Sequence, residues 1–335
     1  MNTKPLSHYI QSYFMSYLIS QRGYGSNTIS SYRDTFKLLF LFLSEAGRKV
    51  TRLSIDDIDR TCIIEFLQWL ESRRDNAVST RNVRLAHLKS FWGYVLSIVP
   101  EISGHCSQII NIPFKKADKK PPSYMTEAET SLLLGMPDCT TRSGIRHVAM
   151  LSLLYDSGCR VQELIDLNVA DVTLGSICKL YVKGKGNKFR EIPIMQETGK
   201  VLNKYIQMHN LQSDKSLFSN SRGDRLTRAG ISHIMNKYKN LANKQNDAAF
   251  QGNVSPHLMR HTKATHLVNH GVSIYNVRDF LGHSSVTTTQ IYLTSNPEVT
   301  RKAIENASLK TVPDSVEYYS SEEKSDLLAF LETLI

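Results

Sequence analysis

The sequence predicts a mainly α-helical protein in two domains, with one small antiparallel β-sheet. Three observations lead there. Apolar residues recur at three- and four-residue spacing along most of the chain, as helices with one buried face require. Strand-like alternation is confined to two short runs flanking a glycine-containing basic turn, Lys183 to Lys188. At 335 residues the chain exceeds what one core usually organises, and a proline- and lysine-rich stretch divides it.

Residues 6 to 100 read as four helices. The first, about Ser7 to Gln21, stops where Gly23 and Gly25 punctuate the chain. Ser26 caps a second, with Tyr32, Phe36, Leu39, Phe40 and Leu43 inward, which ends at Gly47. Ser54 starts a third through Ile58, Ile63, Phe66, Leu67 and Leu70. Ser79 caps a fourth, with Val83, Leu85, Leu88, Phe91, Trp92 and Val95 inside and Arg81, Arg84 and Lys89 outside. Residues 1–110 thus form a helical domain.

Residues 111–123, NIPFKKADKKPPS, read as a basic interdomain linker whose lysines suit a phosphate backbone. The second domain, 124–310, opens on a capping box, Thr126 with Glu129. A central helix follows from about Arg142 to Ser157, then strands Ile177 to Val182 and Phe189 to Ile194. The remainder is helical, including a short helix from Pro297 to Ala307. Residues 311–335 form an amphipathic tail with six acids, Asp314, Glu317, Glu322, Glu323, Asp326 and Glu332, against one base, Lys324.

Net charge is +10, and because the tail is acidic the rest of the chain is more basic still, which favours a polyanionic partner such as nucleic acid. Cys62, Cys106, Cys139, Cys159 and Cys178 are scattered without CxxC spacing, so neither a disulfide framework nor a zinc site is expected. There is no long apolar run and no leader-like start, so the expectation is a cytoplasmic protein with no membrane partner.

Four segments of the second domain hold groups suited to a phosphodiester. In Gly158-Cys159-Arg160-Val161-Gln162-Glu163, the carboxylate of Glu163 lies one helical turn from Arg160 and can hold its guanidinium. Lys185 sits between Gly184 and Gly186 at the tip of a basic hairpin. His257 and Arg260 are three apart on one helix, without the spacing of a zinc site. Leu281-Gly282-His283 precedes Tyr292 by nine residues. Taken singly, each reads equally as an ion pair, a phosphate-contacting hairpin, a chance HxxR or a core tyrosine.

Together, and in this order, the segments resemble the tyrosine recombinases, or phage integrases, over roughly residues 8 to 310. The resemblance implies a fold of two parts, an N-terminal four-helix core-binding (SAM-like) domain and an α+β catalytic domain. It implies catalytic roles for Arg160, Lys185, His257, Arg260, His283 and Tyr292, with Glu163 supporting Arg160. Lys263 departs from the aromatic or small residue common there and puts no catalytic position in doubt. Neither cofactor nor metal is implied. The implied partners are double-stranded DNA with paired inverted half-sites, a homotetramer on two duplexes with the C-terminal helix packed in trans, and accessory DNA-bending proteins; packing of that helix in cis on its own domain is the open alternative.

Cleaving a phosphodiester builds negative charge on nonbridging oxygens, and the planar forks of Arg160 and Arg260 suit that charge. His283 would add a donor. A phenol is a weak nucleophile at neutral pH, so Tyr292 needs a proton acceptor, by resemblance His257, and the leaving 5′-oxygen needs an acid, by resemblance Lys185. A 3′-phosphotyrosine keeps the ester bond, so a second strand can be joined without ATP, through a Holliday junction, in integration, excision or a related exchange.

DNA contacts are expected at Asn27, Thr28, Ser30 and Arg33 on the second helix, at Thr80, Arg81, Asn82, Arg84 and Lys89 on the fourth, and at linker Lys115 and Lys116. Two other readings stay open from the sequence: a type IB topoisomerase with similar tyrosine chemistry, and a DNA-binding protein that keeps the fold without catalysis.

Overall fold

A computed structural model describes residues 4–117, 123–184, 189–245, 249–283, 285–292 and 321–333. The chain divides into two compact units, Met1–Lys119 and Lys120–Ile335, each with its own apolar core.

In the first unit, α1 (Leu6–Ser12) runs on as a π-helix, Tyr13–Gln21, whose final turn bonds the Arg22 N–H to the Tyr17 carbonyl five residues back. Helices α2 (Ser26–Glu45), α3 (Arg60–Ser72), α4 (Val78–Ile98) and α5 (Ser103–Ile110) follow. The inner faces of the first four carry the core set expected, from Phe36 and Leu39 to Phe91, Trp92 and Val95. Val83 is an exception. It is exposed, because Leu85, Leu88 and Trp92 already fill the buried face and Arg84 and His87 flank it.

The capping expectations fail in detail. Asp59, not Ser54, caps α3, accepting the Cys62 N–H at 2.7 Å, while Ser54 turns to Asp57. The side chains of Ser26 and Ser79 lie inside α2 and α4 rather than capping them. Helix α5 was not expected, and buries Cys106 and Ile109.

Helices α2 and α4 run parallel. Arg84 donates to the Ser31 carbonyl and to Thr35 Oγ1, both at 3.0 Å, His87 meets Thr35 at 2.7 Å, and Phe91 meets Phe36, so contacts advance together along both helices. Their N-termini therefore lie at the same end of the unit. The first part of the sequence assigned to a linker belongs to this unit. Ile112 is buried in its core, Lys115 is tied to Asn82 and Glu71, and Lys89 sits 4.5 Å from the Phe114 ring centroid.

The second unit opens on α6 (Glu127–Gly135), whose Thr126–Glu129 capping box forms as the sequence predicts. The core helix α7 (Arg142–Ser157) ends at Gly158 in the left-handed region, φ 55°. Helix α8 (Val161–Asp166) leads to an antiparallel sheet of β1 (Val172–Thr173), β2 (Lys179–Lys183) and β3 (Phe189–Pro193), in that order. The sequence predicts the second and third strands but not the two-residue first. Helices α9 (Gln196–His209), α10 (Arg228–Gln245), α11 (Pro256–Asn269), α12 (Ile274–Leu281) and α13 (Thr287–Gln290) complete the unit's main body, and α14 (Ser321–Glu332) lies in the tail. The helix expected from Pro297 to Ala307 lies outside the described residues.

Candidate active site

Four stretches far apart in sequence meet around the N-terminus of α8. Arg160 stands just ahead of that helix. Glu163 Oε2 accepts the Arg160 backbone N–H at 2.7 Å and Oε1 accepts its guanidinium at 2.9 Å. The pair thus forms a cap in which the guanidinium, with 42% of its side chain exposed, remains turned to solvent. Glu163 is only 6% exposed, and from β3 Arg190 donates both terminal nitrogens to its two oxygens, at 3.0 and 2.8 Å. Burial alone would raise the Glu163 carboxyl, but these bonds, with the Arg160 N–H, outweigh it and hold the group below its ordinary pKa.

Arg260 arrives from α11, a helix that Ser255 caps and Pro256 begins. It is 2% exposed. Its guanidinium donates to the carbonyls of Gly158 and Leu281, both at 2.6 Å, at the C-terminal ends of α7 and α12. Both carbonyls sit where a helix gives way to a left-handed glycine, Gly158 (φ 55°) and Gly282 (φ 66°), so the turns that end two helices also seat this arginine. Burial, then Arg160, brings its pKa down to about 10, which leaves it a cation.

His283 follows Gly282, and its Nδ1 lies 2.9 Å from Thr289 Oγ1. Burial, then Arg260 and Arg160, lower its pKa to about 4, so the ring is neutral at pH 7 and offers one N–H. His257, on the first turn of α11, keeps part of its surface open to solvent, and its pKa is also lowered, by burial of the rest of the ring, then by Arg260 and Arg160.

Tyr292 is 1% exposed and packs with Ala264, Val268, Val277 and Leu281. Its hydroxyl shares a 2.6 Å hydrogen bond with Nδ1 of His261, not with His257. His257 instead lies against the His261 ring, 4.2 Å between centroids. Burial raises the Tyr292 pKa; burial, then His257 and Arg260, take His261 down to about 4. A neutral imidazole therefore faces a protonated phenol.

The structure thus brings together Arg160, Glu163, His257, Arg260, His283 and Tyr292. Lys185 lies outside the described residues. Sequence reasoning missed His261 and Arg190, although each left a trace. His261 is one helical turn beyond His257, and Arg190 shares a strand face with buried Ile192 and pairs opposite buried Val182, an unusual place for a charge.

Of the residues expected to meet DNA, Asn27 and Thr28 are exposed on the first turn of α2 and Thr80 on that of α4. Arg33 is exposed and bonded to Ser30 and Asp34. Arg81 is half-buried beside Asn82, and Arg84 is engaged with α2. Lys89 and Lys115 make the contacts given above, and Lys116 is exposed. Among the described residues no group of three or more His, Cys, Asp or Glu could hold a metal ion, and no helix is long and apolar enough to cross a membrane.

The phage integrase family model matches residues 123–298, and that of the phage integrase N-terminal SAM-like domain matches residues 11–97. A Sinorhizobium fredii protein named as an integrase/recombinase, y4rC, is 35% identical over 330 residues, 98% of each chain. The chain belongs to the phage integrase family. It is therefore a tyrosine-type site-specific DNA recombinase, and the N-terminal match favours this over the topoisomerase reading. Tyrosine recombinase XerC of Herpetosiphon aurantiacus is 33% identical to this recombinase over 310 residues, 91% of this chain and 96% of that one.

Two solved structures share its fold. The XerH recombinase bound to palindromic difH substrate aligns with TM-score 0.65 and 22% identity, over 86% of this recombinase and 81% of that chain. The Tn1549 transposon integrase with transposon right end DNA aligns with TM-score 0.67 and 17% identity, over 90% and 98%.

Proposed function

We propose that this recombinase cleaves each DNA strand by attack of the Tyr292 oxygen on phosphorus. A 3′-phosphotyrosyl bond forms and the P–O5′ bond breaks, releasing a 5′-hydroxyl. Arg160 and Arg260 stabilise the nonbridging oxygens, aided by His283, and their charge counts most in the transition state. Lys185 protonates the leaving oxygen. The reverse attack by a partner's 5′-hydroxyl rejoins the strands through a Holliday junction, with no need of ATP or metal. The observation that supports this is the gathering of two arginines, two histidines and a tyrosine from separate stretches of the chain, with Arg160 held on Glu163, Arg260 on the Gly158 and Leu281 carbonyls and Tyr292 on His261.

The His261 contact adds a step to the sequence reading. Before attack the phenol must leave His261 and its apolar seat and turn toward the phosphate, and His257, beside His261, takes the proton there.

The exposed first turns of α2 and α4 offer the side chains of Asn27, Thr28 and Thr80 to one stretch of DNA backbone. Arg33, Arg81, Arg84, Lys89, Lys115 and Lys116 add positive charge around it. In assembly, α14 exposes Leu327, Leu328, Phe330 and Leu331, a face suited to a neighbouring subunit in a tetramer on two duplexes with paired inverted half-sites. Accessory DNA-bending proteins would serve that assembly, which acts on cytoplasmic DNA in integration, excision or a related exchange.

A duplex carrying the target site with a nick near the scissile phosphate tests the chemistry. Wild type yields a covalent protein–DNA adduct, and Tyr292→Phe binds the same duplex and yields none. An adduct from Tyr292→Phe would overturn the assignment.

A further inference from the structure

Glu163 is shared unequally by two guanidinium groups. Arg190 takes it end-on with both terminal nitrogens, while Arg160 takes one oxygen with one nitrogen. Arg160's remaining contact is a 3.4 Å approach to the Gly282 carbonyl. The exposures follow the same division, 15% for the Arg190 side chain and 42% for Arg160. Arg190 is turned inward, with its Nε buried and unbonded, and the free donors that face solvent belong to Arg160.

A buried carboxylate seeks two parallel N–H donors, and an arginine fork supplies both. With Arg190 in place that demand is met from β3, and Glu163 takes only one bond from the Arg160 guanidinium, beside that from its backbone N–H. Without Arg190, the same carboxylate would draw the Arg160 fork into the two-point arrangement and turn it away from solvent. Its negative charge would then stand against Arg160 alone.

Arg190 also reaches the loop that carries His283. A Cβ on Gly282 would fall 2.9 Å from Arg190 Nη1 and 3.1 Å from its Cζ, so the guanidinium packs closely against the left-handed turn that also supplies the Arg160 contact. One side chain therefore braces β3, the start of α8 and the turn before His283.

We infer that Arg190 is a positioning residue for strand cleavage: it occupies Glu163 so that the Arg160 guanidinium stays free for the scissile phosphate. This rests on the role proposed above for Arg160, and the experiment separates the two. Single-turnover adduct formation at saturating nicked duplex would be measured for wild type, Arg190→Gln, Arg160→Ala, the double variant and Tyr292→Phe. DNA affinity would be read in parallel by gel shift.

Arg190→Gln should slow adduct formation roughly a hundredfold, the scale of misplacing a catalytic group by about an ångström. DNA affinity should stay within about threefold, since the phosphate contacts that dominate it are untouched. In the Arg160→Ala background the same change should cost less than about threefold, because nothing remains to be positioned. A merely structural defect would slow both backgrounds alike.

Should Arg190→Gln fail to fold, Arg190→Lys, which keeps a cation on Glu163 but only a point donor, takes its place with a loss of about tenfold. Equal losses in both backgrounds, or a wild-type rate for the single variant, overturn the inference. An adduct from Tyr292→Phe, or a wild-type rate for Arg160→Ala, overturns the underlying reading instead.

Discussion

The Tyr292 hydroxyl and His261 Nδ1 stand 2.6 Å apart, the tyrosine buried and the histidine half-buried. In the free protein the proposed nucleophile is thus stored, bonded to a neutral imidazole and packed among aliphatic side chains.

Storage has a measurable consequence. Tyr292→Phe removes the 2.6 Å hydrogen bond to the half-buried His261 ring, and should lower stability by about 1 kcal/mol. Denaturant unfolding would show it as a reduced midpoint with unchanged slope, whereas Tyr181→Phe on an exposed strand position should leave the midpoint alone. An unchanged midpoint for Tyr292→Phe would mean that the phenol is not held in the free protein.

Lys185 is testable through the leaving group. If it protonates the departing 5′-oxygen, Lys185→Ala should slow cleavage by about two to four orders of magnitude. A duplex with sulfur at the bridging 5′ position releases a thiolate, which needs no proton, so the variant and wild type should cleave it at similar rates. A persistent defect on that duplex would assign the acid elsewhere.

Stability should fall on mild acidification. Burial, followed by a neighbouring arginine, depresses His87 and His147 to about 4. Each then binds more protons unfolded than folded between its ordinary pKa near 6.5 and about 4, so the folded state is fully favoured above that window and loses ground as pH drops through it. Each should cost up to about 3 kcal/mol by the lower end. Because His87 lies in the first unit and His147 in the second, thermal melts should show both units weakening. His87→Gln should flatten the response of the first.

The exposed apolar residues of α14 make the tail testable. Leu328→Glu with Leu331→Glu should leave binding to a single half-site unchanged and weaken assembly on paired sites by roughly a hundredfold or more, given about 1.5 to 3 kcal/mol per buried leucine. Analytical ultracentrifugation on paired-site DNA would read it. Undisturbed assembly would place the tail outside the subunit contact.

Much of the architecture was legible because helices and hairpins are written in local spacing. The Thr126–Glu129 box, the α7 boundaries and the two strands of the β2–β3 hairpin all follow from residues near one another in sequence. Caps were less legible: Ser54, Ser26 and Ser79 are the right residue types, yet Asp59 could reach a free N–H at α3 and they could not.

By itself the sequence determined the chemistry available: two arginines, a hairpin lysine, histidines and a tyrosine in the order of a known family, on a helical framework. Tertiary packing decided which of them meet. Arg260 finds the Gly158 carbonyl 102 residues away, Arg190 finds Glu163 across 27, and Tyr292 finds His261 across 31. No local period encodes such pairs. They arise because α7 and α12 end at left-handed glycines, where the carbonyls of Gly158 and Leu281 turn to Arg260, and because pairing between β2 and β3 sets Arg190 on the buried face of the sheet.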